Sequence, residues 1–289
     1  MAKHMKKRRL IRLLPSRSKP QLGLRQLLGE TRVFGEWMVF TLDQFLHPSL
    51  AIKSRTRRGV LLIPGFGAGD LSLTPLVVGL RQLGHPTFAS GIWSNLDCPA
   101  HTMPRLEKIL RNANRKTGAR VVIVGHSLGG LYARQLACLF PDLVERVILL
   151  GSPVKNPLDG SNSFLKPIFE FWHGRCADAP SGRSGLLDGE LSPNPPLVPE
   201  TLLYSRTDGV VNWQNCIETG AHVEAIEVSS SHCGLPFSTK VLEIIEARLT
   251  QSSDRSPILP RNVAGSKLRR SLNRVRASLT SAGNHRPAA

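Results

Sequence analysis

Near the middle of the chain stand six residues, GHSLGG (Gly125 to Gly130), whose types and spacing suit a serine nucleophile. A serine hydroxyl is inert at neutral pH unless its surroundings take its proton and stabilise the charge it generates. Upstream, Ala119 to Val124 (ARVVIV) reads as a buried strand; downstream, Leu131 to Phe140 (LYARQLACLF) carries apolar residues at helical spacing. Gly-x-Ser-x-Gly at a strand-to-helix turn is a strained elbow. Gly125 and Gly129 omit the Cβ atoms that would clash there, and Ser127 Oγ is raised above the sheet edge. The helix that starts there also aims free backbone N–H groups at negative charge developing beside the serine.

Such a serine needs a base, an acid to orient that base, and donors for an oxyanion. Of nine histidines, only His232, in VSSSHCGLP, lies just beyond the last predicted strand. His126 adjoins the serine, where the elbow is expected to turn its side chain away. A structural turn histidine is the competing reading of His232. For the acid, Asp208 in YSRTDGVV follows the predicted strand TLLYS and precedes His232 by 24 residues, in the chain order Ser, Asp, His. Its competing role is to cap the turn from Val210 onward. The oxyanion donors are expected to be the backbone N–H of Leu128 and that of Phe66, in the glycine-rich loop IPGFGAGD after the first strand. As a phosphate cradle that loop would need a different spacing and a Lys-Ser/Thr pair, which it lacks.

The elements that must position these residues alternate from Gly59 onward. Strands are predicted at 59–64, 87–93, 119–124, 144–153, 201–205 and 222–229, with helices at 71–83, 103–115, 131–140 and 236–249. That alternation predicts a mostly parallel sheet covered on both faces, with ligands outside the carboxyl ends of its strands. Lys155 to Glu200 breaks the pattern: it holds seven of the 21 prolines, yet also Phe164, Phe169 and Trp172. It reads as a cap over the active site, or else as a packed connection. With Trp213, these three aromatics are the candidate substrate pocket, ordinary core packing being the alternative. Before the alternating region, Arg32 to Leu46 places Val33, Trp37, Phe40, Leu42 and Phe45 largely on one helical face, which packs on the domain or meets a membrane surface.

The formal charge of +17 is concentrated at the ends: residues 1–20 carry +8 and 251–289 carry +7, leaving +2 for the rest. The basicity therefore belongs to two tails, a flexible arm (1–31) and a disordered tail (251–289) that flank one domain at 32–250. Such tails suit solvated ends or peripheral contact with an anionic membrane, and Gly265 to Ala282 has the spacing of a basic amphipathic helix. No specific nucleic-acid partner is expected. Five cysteines without paired spacing suggest reduced thiols and a cytoplasmic location. As a lesser alternative, an acid-free, Arg- and Ser-containing start up to Gly29 also fits an organellar transit peptide. No metal motif and no cofactor motif are seen.

Taken together, PGF (64–66), GHSLGG (125–130), YSRTDGVV (204–211) and SSHCGLP (230–236) resemble the α/β-hydrolase superfamily in its lipase/esterase-like branch, over about Gly59 to Leu249. The resemblance implies a three-layer α/β-hydrolase fold with a minimal six-stranded central sheet and a Pro-rich cap insertion. It also implies a Ser127, Asp208, His232 triad and hydrolysis of a carboxylic ester through an acyl-enzyme. The expected substrate is a small-molecule or lipid-like ester with a hydrophobic acyl or alcohol group. Two other readings remain at this stage: an acyltransferase or thioesterase using the same triad, and a binding protein on an inherited hydrolase fold.

Overall fold

Four buried aliphatic residues in succession, Val60 to Ile63, cannot form a strand with a wet face, and the same holds for Val121–His126 and Val144–Leu150. Strands buried on both sides call for helices above and below the sheet. A computed structural model of the chain describes residues 29–33, 35, 36, 38, 56–155 and 196–251. It contains β1 (Val60–Ile63), β2 (Thr87–Ala89), β3 (Val121–His126), β4 (Val144–Leu150), β5 (Glu200–Tyr204) and β6 (Val223–Glu227). They form one six-stranded sheet in the order β2-β1-β3-β4-β5-β6, with every pairing parallel. The minimal sheet read from the sequence is the sheet observed.

Side chains that alternate along β1, β3 and β4 build two cores. Leu61, Ile63, Val121, Ile123, Val147 and Leu149 pack on one face, with α2 (Pro99–Thr117) and α3 (Leu128–Leu139). Val60, Leu62, Val122, Val124, Ile148 and Leu150 pack on the other, with α1 (Thr74–Gln82) and α4 (Thr239–Thr250). β2 is shorter than its predicted span, ending at Ala89, because the chain there turns to bond the loop after β1. From β1 the chain steps outward to β2 and then returns past β1 to β3, so the strand order reverses between β1 and β3. A crevice opens at the carboxyl ends of two such strands, and both the PGFG loop and Ser127 stand there.

The predicted helix over 32–46 is described only at its start: Glu30–Arg32 forms a 3-10 turn and residues 33, 35, 36 and 38 are helical. Residues 156–195 of the cap, with Phe164, Phe169 and Trp172, and the C-terminal amphipathic segment lie outside the described residues. Among the described residues no helix is long and apolar enough to cross a membrane. The expectation of reduced thiols does not hold throughout. Cys98 is disulfide-bonded, whereas Cys138, Cys216 and Cys233 are free; Cys176 lies outside the described residues. Spacing along the chain cannot reveal a pair that folding brings together.

Candidate active site

β3 ends at His126, α3 begins at Leu128, and Ser127 makes the entire turn between them. Its φ of 51° is the one positive value at a non-glycine among the described residues. That conformation costs energy for an L side chain and is kept because the surroundings leave no other path. Ser127 N–H extends the sheet by donating to Leu150 O at 2.8 Å. A Cβ on Gly125 would lie 2.4 Å from Gly129 O, and one on Gly129 would lie 2.2 Å from Ile63 O. Both are backbone atoms that cannot swing aside. Gly130 belongs to the same set, since a Cβ there would meet Ser152 Oγ at 1.9 Å. Ser127 alone among residues 121–130 is not fully buried.

The Leu128 N–H occupies the first position of α3, where no intrahelical acceptor exists. The loop after β1 reaches it closely: a Cβ on Gly65 would touch Ser127 Cβ at 3.2 Å, which brings the next residue, Phe66, to the serine. Asn95 clamps this loop. Its Nδ2 donates to Pro64 O at 2.8 Å, its N–H donates to Ala68 O at 2.8 Å, and its carbonyl accepts from Gly67 N–H at 3.1 Å. Asp70 fastens the loop's far end, accepting from the N–H groups of Ser90 and Gly91 and from Ser90 Oγ. Asn95 and Asp70 thus hold the loop in place beside the start of α3.

Asp208 and His232 stand on the loops after β5 and β6, 24 residues apart, and both are buried. His232 Nδ1 lies 2.6 Å from Asp208 Oδ2, while Asp208 Oδ1 accepts from Val210 N–H at 2.8 Å and Val211 N–H at 2.7 Å. The contacts expected of a turn cap and those expected of an acid partner to the histidine are thus made at once by different oxygens of one carboxylate. Gly151, just past β4, allows the pair to sit over the sheet end: a Cβ there would be 3.1 Å from His232 Nδ1 and 3.2 Å from Asp208 Oδ2. Burial of the His232 ring works to lower its pKa. The charge and hydrogen bond of Asp208, with the charge of Glu30, outweigh it and hold His232 above its ordinary value of 6.5.

His126 departs from expectation. Its ring lies against that of His232, with centroids 4.9 Å apart, and its Nε2 is 3.0 Å from His232 O. Burial, then the neighbouring His232, pulls its pKa down to about 3. The neutral ring donates from Nε2 to the His232 carbonyl and holds that backbone in place. Trp213, by contrast, is taken up by protein contacts: Tyr204 stacks on it at 5.7 Å and the Arg206 guanidinium sits 4.3 Å from its centroid. Among the described residues no group of three or more His, Cys, Asp or Glu could hold a metal ion.

Two acidic residues missed in the sequence complete the surroundings. Glu30 and Glu36 accept hydrogen bonds from the backbone of the two loops that carry Asp208 and His232. The one signal available beforehand was that Glu30 is the first acidic residue of the chain.

The fold is shared with known proteins. A model of the alpha/beta hydrolase family matches residues 60–270. The fold is similar to that of the Bacillus licheniformis lipase BlEst2 in its mature form, with a TM-score of 0.52 and 18% identity over 68% of this chain and 94% of that one. It is similar in the same degree, 0.52 and 17% over 67% and 94%, to a structure from work on the metagenome-derived lipolytic enzymes LipS and LipT. With the family model spanning most of the chain, and a parallel sheet that ends in a glycine-walled serine elbow, this protein belongs to the α/β-hydrolase family.

Proposed function

We propose that the protein is a serine carboxylic ester hydrolase that works through an acyl-enzyme intermediate. The observation that carries this reading is the 2.6 Å contact between Asp208 Oδ2 and His232 Nδ1, on loops that converge at the sheet end bearing Ser127. With Nδ1 engaged by the carboxylate, Nε2 of His232 is the free basic nitrogen. It takes the Ser127 proton as Oγ attacks the ester carbonyl, and the Leu128 and Phe66 amides stabilise the oxyanion. His232 then protonates the departing alcohol, and water, deprotonated by the same imidazole, releases the acid. Asp208 holds the tautomer and offsets the transient imidazolium charge.

A hydrophobic acyl or alcohol group fits the aromatic residues gathered in 155–200, and the structurally similar proteins are described as a lipase and as lipolytic enzymes. The test is labelling by a fluorophosphonate probe, followed by a chain-length series of p-nitrophenyl esters. Labelling of wild type but not of Ser127→Ala is expected, with turnover of the esters. A folded wild-type protein that neither labels nor turns over any ester would remove the reading.

A further inference from the structure

The first acidic residue of the chain is far in sequence from every other member of the site, and yet it touches both of the loops that carry the acid and the base. Glu30 is 9% exposed. Its Oε1 accepts from Gly209 N–H at 2.7 Å and from His232 N–H at 3.0 Å, and its Oε2 accepts from Cys233 N–H at 2.9 Å. One carboxylate oxygen therefore bridges the residue that follows the acid and the base itself. The two loops are also tied directly, with Ser205 and Thr207 hydroxyls donating to Ser230 O at 2.6 and 3.0 Å. Glu36 repeats the pattern a turn and a half on, accepting from Ser231 N–H at 2.7 Å and from the Ser231 hydroxyl. Arg32, between them, reaches Thr207 Oγ1 at 3.1 Å.

We propose that Glu30 is a positioning residue for catalysis, an N-terminal carboxylate strap that fixes the Asp208 and His232 loops in mutual register and places a second negative charge beside the base. The assignment of catalytic work to His232 rests on the function proposed above; the strap itself rests on the three hydrogen bonds. Plain structural glue would require only donors and acceptors that match. Here three donors from two loops converge on one buried charge, and a charge-assisted bond is stronger and more directional than a neutral one.

The groups that face His232 are few. Asp208 and Glu30 are acidic and raise its pKa, while buried His126 stays neutral. Cys233 is pushed up to about 12 by burial and then by Glu30, and Cys216 is pushed well up by burial beside Asp208, so both remain neutral thiols. Glu36 acts on the Ser231 backbone, one residue away. Removing the Glu30 charge therefore lowers the His232 pKa. A base that must be neutral to work is then available at lower pH, and the acid limb of kcat/KM moves down.

The experiment uses the full chain with Glu30→Gln and Glu30→Asp, rates being normalised to the fraction of sites titrated by fluorophosphonate. Glu30→Gln keeps size but loses charge, and its amide nitrogen cannot accept. We expect kcat to fall about 10-fold or more with KM changed less than 2-fold, and the acid limb to shift to lower pH. Glu30→Asp keeps the charge but falls one methylene short, so kcat falls while the acid limb stays at its wild-type position. The His232 titration, followed by imidazole NMR, moves with the limb in Glu30→Gln. That readout needs no turnover, so a protein inactive on esters would still test the strap. Unchanged kcat and an unmoved His232 titration in Glu30→Gln overturn the proposal. If that variant does not fold, wild-type kcat per titrated site in Glu30→Asp overturns it.

Discussion

Replacing Asp208 by asparagine changes one atom, and the structure dictates which way the new amide points. Oδ1 receives two N–H groups, a part-buried one from Val210 and a buried one from Val211, at 2.8 and 2.7 Å. An asparagine oxygen placed there keeps both bonds. The flipped amide would set its NH2 against two N–H donors, leaving each unsatisfied at about 1–3 kcal/mol. A bias of at least about 2 kcal/mol corresponds to some 30-fold in population, so the NH2 is forced into the position of Oδ2. There it faces His232 Nδ1 and donates to it. The imidazole proton is driven to Nε2, the side on which a lone pair is needed for the serine proton. A wrong tautomer of this kind lowers kcat on the order of 10⁴-fold in a serine-histidine-aspartate site, about 5.5 kcal/mol of barrier at 1.36 kcal/mol per tenfold. Initial rates on a p-nitrophenyl ester at pH 8 would measure it, with the rate of fluorophosphonate labelling as a single-turnover check. Thermal unfolding should change little beside the loss in rate, since the two capping bonds survive. A folded Asp208→Asn variant within tenfold of wild type would refute both the acid assignment and the orientation derived for its oxygens.

Gly129→Ala puts a Cβ 2.2 Å from Ile63 O, with Pro64 O at 2.6 Å. Overpacking against backbone costs about 1–3 kcal/mol or more, and each kcal/mol lowers Tm by about 2–4 °C in a domain of this size. Calorimetry should show the fall, accompanied by loss of Ser127 labelling because β1 and the elbow must part. Glu200, whose side chain is fully buried 3.5 Å from Arg134 Nε, is raised by burial to about 7 despite that arginine. Between its ordinary value of 4.5 and about 7 the folded chain holds a proton that the unfolded chain releases, so this group's contribution is full below that window and falls as pH rises through it. Glu200→Gln should flatten the pH dependence of Tm across that window; an unchanged slope would contradict the shift. Thiol titration of the unfolded, unreduced protein should find three reactive cysteines, and five after reduction, because Cys98 is in a disulfide; five without reductant would refute the bond.

Much of the fold was legible because its cues are local. Unbroken aliphatic runs such as VVIV announce a sheet buried on both faces, and glycines flanking Ser127 announce a reversal that tolerates no side chain. The same grammar placed Asp208 and His232 just past the last two strands, where they are found. Boundaries shifted at β2, which ends early where the chain turns to bond the loop after β1, and at α2, which begins with Pro99 at its first position rather than at Met103.

Chain order, strand ends and glycine spacing thus determined by themselves the sheet and the candidate serine, acid and base, and the motifs they form carried the resemblance to the family. Tertiary structure alone decided what steadies them. Glu30 reaches partners 179 to 203 residues away, the His126 ring turns in against His232, and Asn95 clamps the loop that presents Phe66. Cys98, which looked like one thiol among five, is bonded. The physical reason is the range of each interaction. Steric exclusion in a strand-to-helix turn acts between near neighbours and leaves its mark as a motif. A buried carboxylate needs only donors that converge in space, and no pattern along the chain records where those donors will come from.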